Sequence, residues 1–415
     1  MEQKAKTKAL GSSIFEALGR SSVHPFPARM APSIAMHVMS NMRGPLRVLD
    51  PMMGSGTVLA LARSNGHKAI GFDIDPLAVM ISKTWTQSCN RTEVMALAEV
   101  TFEVAQTLVG EIRDADAYPA HADEETRKFI DYWFDSDARQ ELTALSGAID
   151  AVEDRLAQGV LWCALSRLII AKKFGVSLAM DLSHSRPHRV FKRAPVRPFD
   201  KFLVSVGKVL QSVLDEQTVK RGPAPSLKIG DARHLPLKNE SIDLVITSPP
   251  YLNAIDYIRC SKFSLVWMGY SISDLRKLRS ESIGTEVSAN APKDDEDIER
   301  IITALRVRSK LSSKHRGILA QYINDMRGSI RETSRVMRPG GKVVYVVGEN
   351  TIRDTYIRTA LIIRHLAKDA GLTCIGSRKR TLPANRRYLP PPSSTNGAMD
   401  TRMRHEVILS FSKYA

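Results

Sequence analysis

Short apolar runs ending in acidic or small residues alternate with helical spacing near the start of the chain. "LRVLD" (46–50) reads as a strand, and "GTVLALARSNG" (56–66) carries helical spacing up to an Asn-Gly stop. "HKAIGFDID" (67–75) is the next strand, with Pro76 opening another helix. This βαβ order predicts a parallel sheet covered by helices. From about 77 to 225 the pattern turns helical, with helices expected at 94–112, 138–156 and 160–174. Strand patterns resume at 226–232 and 241–251, at 341–350 after the Pro339-Gly340-Gly341 turn, and at 372–382 and 405–412. The stretch 270–320 reads as less regular. The pattern predicts one doubly wound, mostly parallel α/β domain formed by 1–88 and 226–415, interrupted by a helical insertion over 89–225 that is of ordinary domain size and could fold semi-independently.

Composition narrows the class. The 415 residues are 43% hydrophobic and 25% charged, ordinary values for a chain with a real core. No apolar run reaches the ~18–20 residues needed to cross a bilayer, and the basic N-terminus shows no signal-peptide pattern, so a cytoplasmic protein is expected. A formal net charge of +16 favours a polyanionic partner. Cys89, Cys163, Cys260 and Cys374 have no paired ligand spacing, and His37, His67 and His315 stand alone, so no metal is expected.

Two stretches carry candidate chemistry. "DPMMGSGT" (50–57) sits where the first strand gives way to a helix, and Gly54 and Gly56 let the backbone turn sharply against a ligand. Asp73, seventeen residues beyond Gly56, ends the next strand where an acid can grip ribose hydroxyls. The loop lacks both GxGxxG and the Lys-Ser/Thr of a phosphate loop, so a nucleoside cofactor without phosphates fits best. "TSPPY" (247–251) ends a later strand. Pro249 and Pro250 offer no N–H, Ser248 adds a hydroxyl and Tyr251 a flat ring. Together they form a slot for a planar ring bearing an exocyclic amine, whose hydrogens Ser248 and the Pro249 carbonyl accept. Either stretch alone is also compatible with a structural turn.

With these motifs the chain resembles the DNA amino-methyltransferases, which use S-adenosylmethionine on a Rossmann-like class I sheet. The resemblance extends to "HPFPARMAP" (24–32), "GFDIDP" (71–76), "GDARHLP" (230–236) and "RVMRPGGKVV" (335–344). It implies that Pro27, Asp50, Gly54, Gly56, Thr57, Asp73 and Asp231 form the cofactor site, with Asp73 on the ribose and Asp231 on the adenine amino group. It implies that Ser248, Pro249, Pro250 and Tyr251 are catalytic. The Ser form of the corner is more typical of N4-cytosine than of N6-adenine enzymes. The expected reaction is direct methyl transfer to a flipped cytosine in duplex DNA, without a covalent intermediate. Adenine N6, an RNA base and an inactive binding scaffold are the alternatives, and an accompanying restriction endonuclease is left open.

Three basic stretches suggest phosphate tracking near the nucleoid: 183–201, 306–316 and 378–392. Arg186, Arg189, Lys192, Arg193 and Arg197 of the first, an expected extended loop, and Arg386 and Arg387 of the third are the candidate DNA ligands. Tyr132, Trp133 and Phe134 read as helix packing rather than a base platform.

Overall fold

A computed structural model describes residues 13–26, 29–180, 182, 187–216, 222–252, 257–285, 295–352, 355–382 and 405–414. The strands among them are, in chain order, β1 (Arg47–Asp50), β2 (Lys68–Asp73), β3 (Ser88–Cys89), β4 (Leu214–Asp215), β5 (Ser226–Ile229) and β6 (Ile242–Thr247). They continue as β7 (Met337–Gly348), β8 (Asn350–Ile352), β9 (Thr355–Ile357), β10 (Leu372–Thr381) and β11 (His405–Lys413). Seven of them form one sheet in the order β10-β11-β7-β6-β1-β2-β5. β1, β2, β5, β6 and β7 run parallel, and β11 is inserted antiparallel between β7 and β10. The chain leaves β1 towards β2 and β5 and later returns on the other side through β6 and β7. The sheet therefore reverses its winding between β1 and β6, where ligands of open α/β sheets bind.

Alternation along the strands separates two core layers. Val48, Leu244, Ile246, Val344 and Val346 face one layer, while Leu49, Val245, Val343, Tyr345 and Val347 face the other. Helices Thr57–Ser64 and Pro76–Thr86 cover the first face; helices Glu296–Leu305, Ser313–Val336 and Thr359–Asp369 cover the second.

The insertion contributes helices Arg91–Val109, Glu124–Trp133, Ser136–Asp150, Arg155–Ile169 and Pro198–Leu210. They share the first core layer instead of closing a core of their own, and helix Arg155–Ile169 lies on helix Pro76–Thr86. This helix also reaches the N-terminal "HPFP" segment: Arg167 Nη1 donates to the Val23 carbonyl at 2.6 Å, and Ser166 Oγ meets the buried His24 Nε2 at 3.0 Å. Burial and the neighbouring Arg167 and Arg29 charges hold the His24 imidazole well below its ordinary pKa.

Two expectations change. The stretch 270–320 contains helix Ile272–Glu281, closed at its start by a Ser271–Asp274 capping box, and helix Glu296–Leu305, which buries Ile298, Ile301, Ile302 and Leu305 at helical spacing. The expected extended loop over 183–201 ends earlier, because Pro198 occupies the first turn of a helix, where its missing N–H costs nothing. Of the Tyr132–Phe134 cluster, Phe134 is buried against Trp267 and Trp133 meets Phe263 edge-on at 5.0 Å, while Tyr132 stays 52% exposed.

Candidate active site

The glycine loop follows β1. Gly54 and Gly56 have φ of +49° and +82°, a region that L side chains avoid. Backbone and side chains hold the turn from three sides. Met53 N–H donates to the Phe72 carbonyl at 2.9 Å, Gly54 N–H to Asp73 Oδ2 at 2.8 Å, and Ser82 Oγ to the Gly54 carbonyl at 2.8 Å. A Cβ on Gly56 would stand 2.7 Å from Ser82 Oγ, so the helix carrying Ser82 leaves no room for a side chain there. Phe26 of the "HPFP" segment lies 3.6 Å from where a Gly54 Cβ would be and stacks on Tyr257 with ring centroids 5.9 Å apart. Pro27, in the same segment, is outside the described residues.

Three carboxyl groups surround this loop. Asp50 is buried, accepts Met52 N–H at 3.2 Å and has its pKa pushed up to about 7, chiefly by burial. Asp73 also accepts the Asp75 N–H at 2.9 Å, and burial raises its pKa. Asp75 caps helix Pro76–Thr86 and accepts from Ser261 Oγ at 2.6 Å; burial and the neighbouring Asp73 push it up to about 7. Such acids are poised to become carboxylates when a cation arrives. Asp231 stands beside this group, because the Gly230 N–H donates to the Asp73 carbonyl at 3.0 Å. Its carboxylate already receives Arg233 through Nε, at 3.0 and 2.9 Å, and Nη2 at 2.7 Å, and Arg233 reaches on to Asp325 at 2.7 Å.

The Pro-Pro corner ends β6, the strand beside β1. Thr247 Oγ1 donates to Asp50 Oδ1 at 2.7 Å, so the corner and the glycine loop are joined by a buried hydrogen bond. Ser248 Oγ donates to the Val346 carbonyl at 3.0 Å. With its proton directed to β7, the hydroxyl keeps lone pairs for an incoming donor. Tyr251 is only 7% exposed, and its hydroxyl donates to Glu406 Oε1 at 3.0 Å. Burial and the Glu406 charge hold the phenol well above its ordinary pKa, so it stays protonated. Arg380 Nη1 donates to the other Glu406 oxygen at 2.8 Å. Glu406, on β11, was not singled out in the sequence, and Arg380, within the basic stretch 378–392 expected to track phosphates, is instead committed to Glu406 on the paired strand.

The candidate DNA ligands divide. Arg189 lies over the Tyr132 ring at 5.3 Å, and Lys192 and Arg193 are exposed. Arg197 is half-buried and bridges Glu141 at 2.5 Å and Asp137 at 3.0 Å, so acids of helix Ser136–Asp150 neutralise it. Arg186, Arg386 and Arg387 lie outside the described residues.

No family model matches the chain. Curated relatives do. The type II methyltransferase M.MvaI of Kocuria varians is 25% identical over 94% of this chain and 90% of its own. The type II methyltransferases M.BsoBI of Geobacillus stearothermophilus and M.MjaII of Methanocaldococcus jannaschii are 22% and 21% identical over 78% and 75% of this chain. Among solved structures, a SAM-dependent methyltransferase from Methanosarcina mazei covers 91% of the chain at a TM-score of 0.34 and 9% identity. Sheet order and glycine loop define a Rossmann-like class I fold. Over 75–94% of its length the chain is thus similar to type II methyltransferases.

Proposed function

We propose that the chain methylates the N4 amine of cytosine in duplex DNA, with the target base flipped into the Ser248–Tyr251 corner. The observation that carries this reading is the Thr247–Asp50 hydrogen bond of 2.7 Å, which locks the corner to the cofactor loop across the winding reversal. The loop suits the cofactor, since the glycines leave a cradle without side chains and buried Asp50 and Asp75 supply negative charge for a cationic ligand. The bound cofactor supplies an electrophilic methyl group on a sulfonium. Asp73 binds the ribose, and Asp231, oriented by Arg233, reads the adenine amino group with its remaining lone pairs.

At the corner, Ser248 Oγ and the Pro249 carbonyl accept the two amino hydrogens. Holding them turns the nitrogen lone pair out of conjugation and towards the methyl group. The cofactor would supply the methyl group as electrophile to the amine oriented here, and the amine's surplus proton would pass to water. Tyr251 fixes the ring face; its own hydroxyl is committed to Glu406 and does not act as a base. Orientation and electrostatic stabilisation of the developing charge supply the rate. A hydroxyl at position 248 in place of a carboxamide or carboxylate favours cytosine over adenine.

Ser248→Ala tests this reading. The variant should bind S-adenosylmethionine normally by calorimetry and lose methyl transfer to unmethylated genomic DNA by at least about a hundredfold. Near-normal transfer would refute it.

A further inference from the structure

A cleft of about 780 Å³ opens beside helix Glu296–Leu305, and Arg306, Lys310, Tyr356, Arg358 and His365 line it. It lies outside the site described above, yet one hairpin joins the two. Asn350 of β8 donates through Nδ2 to the Leu252 carbonyl, one residue past Tyr251. β8 pairs with β9, and Thr355 Oγ1 of β9 donates to the Lys310 carbonyl at 3.3 Å. Ile352 and Ile357 of the hairpin are buried in one core layer with Leu252, Leu305 and Val307. The cleft wall and the catalytic corner are therefore parts of one packed unit.

Among the described residues the charge around the cleft is unbalanced. Arg306 follows helix Glu296–Leu305 with φ of +58°, a left-handed position where helices usually place Gly or Asn. A long cation there costs roughly 1 kcal/mol of backbone strain. The end of a helix carries partial negative charge, unsuited to an anion. Arg358 Nη2 covers it by donating to the Ala304 and Leu305 carbonyls at 3.1 and 3.4 Å. Acids on this side face cations elsewhere: Asp369 meets Arg300 at 2.9 Å, and Glu299 lies 3.7 Å from Arg308. Among the described residues, Glu349 is the carboxyl within electrostatic reach of Arg358 and Tyr356, against three cations in the cleft. Arg306 and Lys310 are exposed, and Tyr356 is 54% exposed.

We infer that this cleft holds the phosphodiester backbone of the duplex next to the target base, with Arg306 and Lys310 on phosphates and Tyr356 against the sugar. Such contacts set register and orientation without reading sequence. The inference rests on duplex DNA as the substrate proposed above.

The test uses the full chain and unmethylated genomic fragments, comparing wild type with Arg306→Gln/Lys310→Gln. Losing two phosphate contacts should lower the slope of log K against log salt by about two, because each contact releases roughly one counterion. KM for DNA should rise roughly tenfold, with turnover at saturating DNA within about twofold of wild type and S-adenosylmethionine binding unchanged. The charge-retaining variant Arg306→Lys/Lys310→Arg should behave as wild type, which separates lost charge from misfolding. An unchanged salt slope and KM in the Gln variant would overturn the inference while wild-type methylation continued. A wild-type chain that neither binds nor methylates DNA would overturn the substrate reading itself, and this inference with it.

Discussion

Thr247 Oγ1 donates to Asp50 Oδ1 at 2.7 Å, tying the last residues of β6 and β1 together where the sheet reverses its winding. Removing the hydroxyl with Thr247→Val leaves a buried carboxyl short of one donor, which costs about 1–3 kcal/mol. The expected result is a lower melting temperature and weaker S-adenosylmethionine binding, with Thr247→Ser restoring most of both.

The raised pKa values of Asp50 and Asp75, both about 7, set a pH dependence. Unfolded aspartate titrates near 3.9, so the folded cofactor-free chain holds more protons than the unfolded chain between about pH 4 and 7. Stability is therefore fully present below about pH 4 as far as these groups are concerned, and it is lost as pH rises through about 7. A cationic cofactor reverses the preference. Calorimetry at pH 6.5 in buffers of different ionisation enthalpy should show proton release on S-adenosylmethionine binding, and Asp50→Asn should reduce it.

Gly56→Ala should disable the loop. The left-handed φ of +82° alone costs about 1–2 kcal/mol for a side chain, and the added methyl would meet Ser82 Oγ at 2.7 Å. Gly44 also has positive φ, +75°, but nothing within 4 Å of the added carbon. Gly44→Ala should therefore lower stability modestly and leave cofactor binding intact. Adding Ser82→Ala to Gly56→Ala should recover part of the loss, as read by chemical unfolding and S-adenosylmethionine affinity.

Glu406 holds the Tyr251 hydroxyl at 3.0 Å and is in turn held by Arg380 at 2.8 Å. If Tyr251 fixes the base as proposed, Glu406 positions its ring. Glu406→Gln should lower kcat roughly tenfold, about 1.4 kcal/mol of barrier, with cofactor affinity unchanged. In a Tyr251→Phe background the same change should have little further effect, because the hydroxyl through which it acts is gone. Additive losses would assign Glu406 a separate structural role.

Much of this arrangement was legible in the sequence. β1, β2 and β6 were readable because their apolar runs end in the acids and small residues that the site uses. The helix over Glu296–Leu305 was missed although its apolar residues at 298, 301, 302 and 305 keep helical spacing, since charges crowd the positions between them. Two features arise only on folding. Glu406 lies 155 residues from Tyr251, and Glu141 lies 56 residues from Arg197. Neither separation carries a local pattern, so the partner of the tyrosine and the neutralised arginine became visible only when the chain was packed.

Nucleoside mass spectrometry of unmethylated DNA incubated with the purified chain and S-adenosylmethionine tests the central claim most directly. N4-methylcytosine should form with wild type and be absent with Ser248→Ala at equal cofactor occupancy. N6-methyladenine as the product, or N4-methylcytosine formed equally well by the variant, would contradict the account.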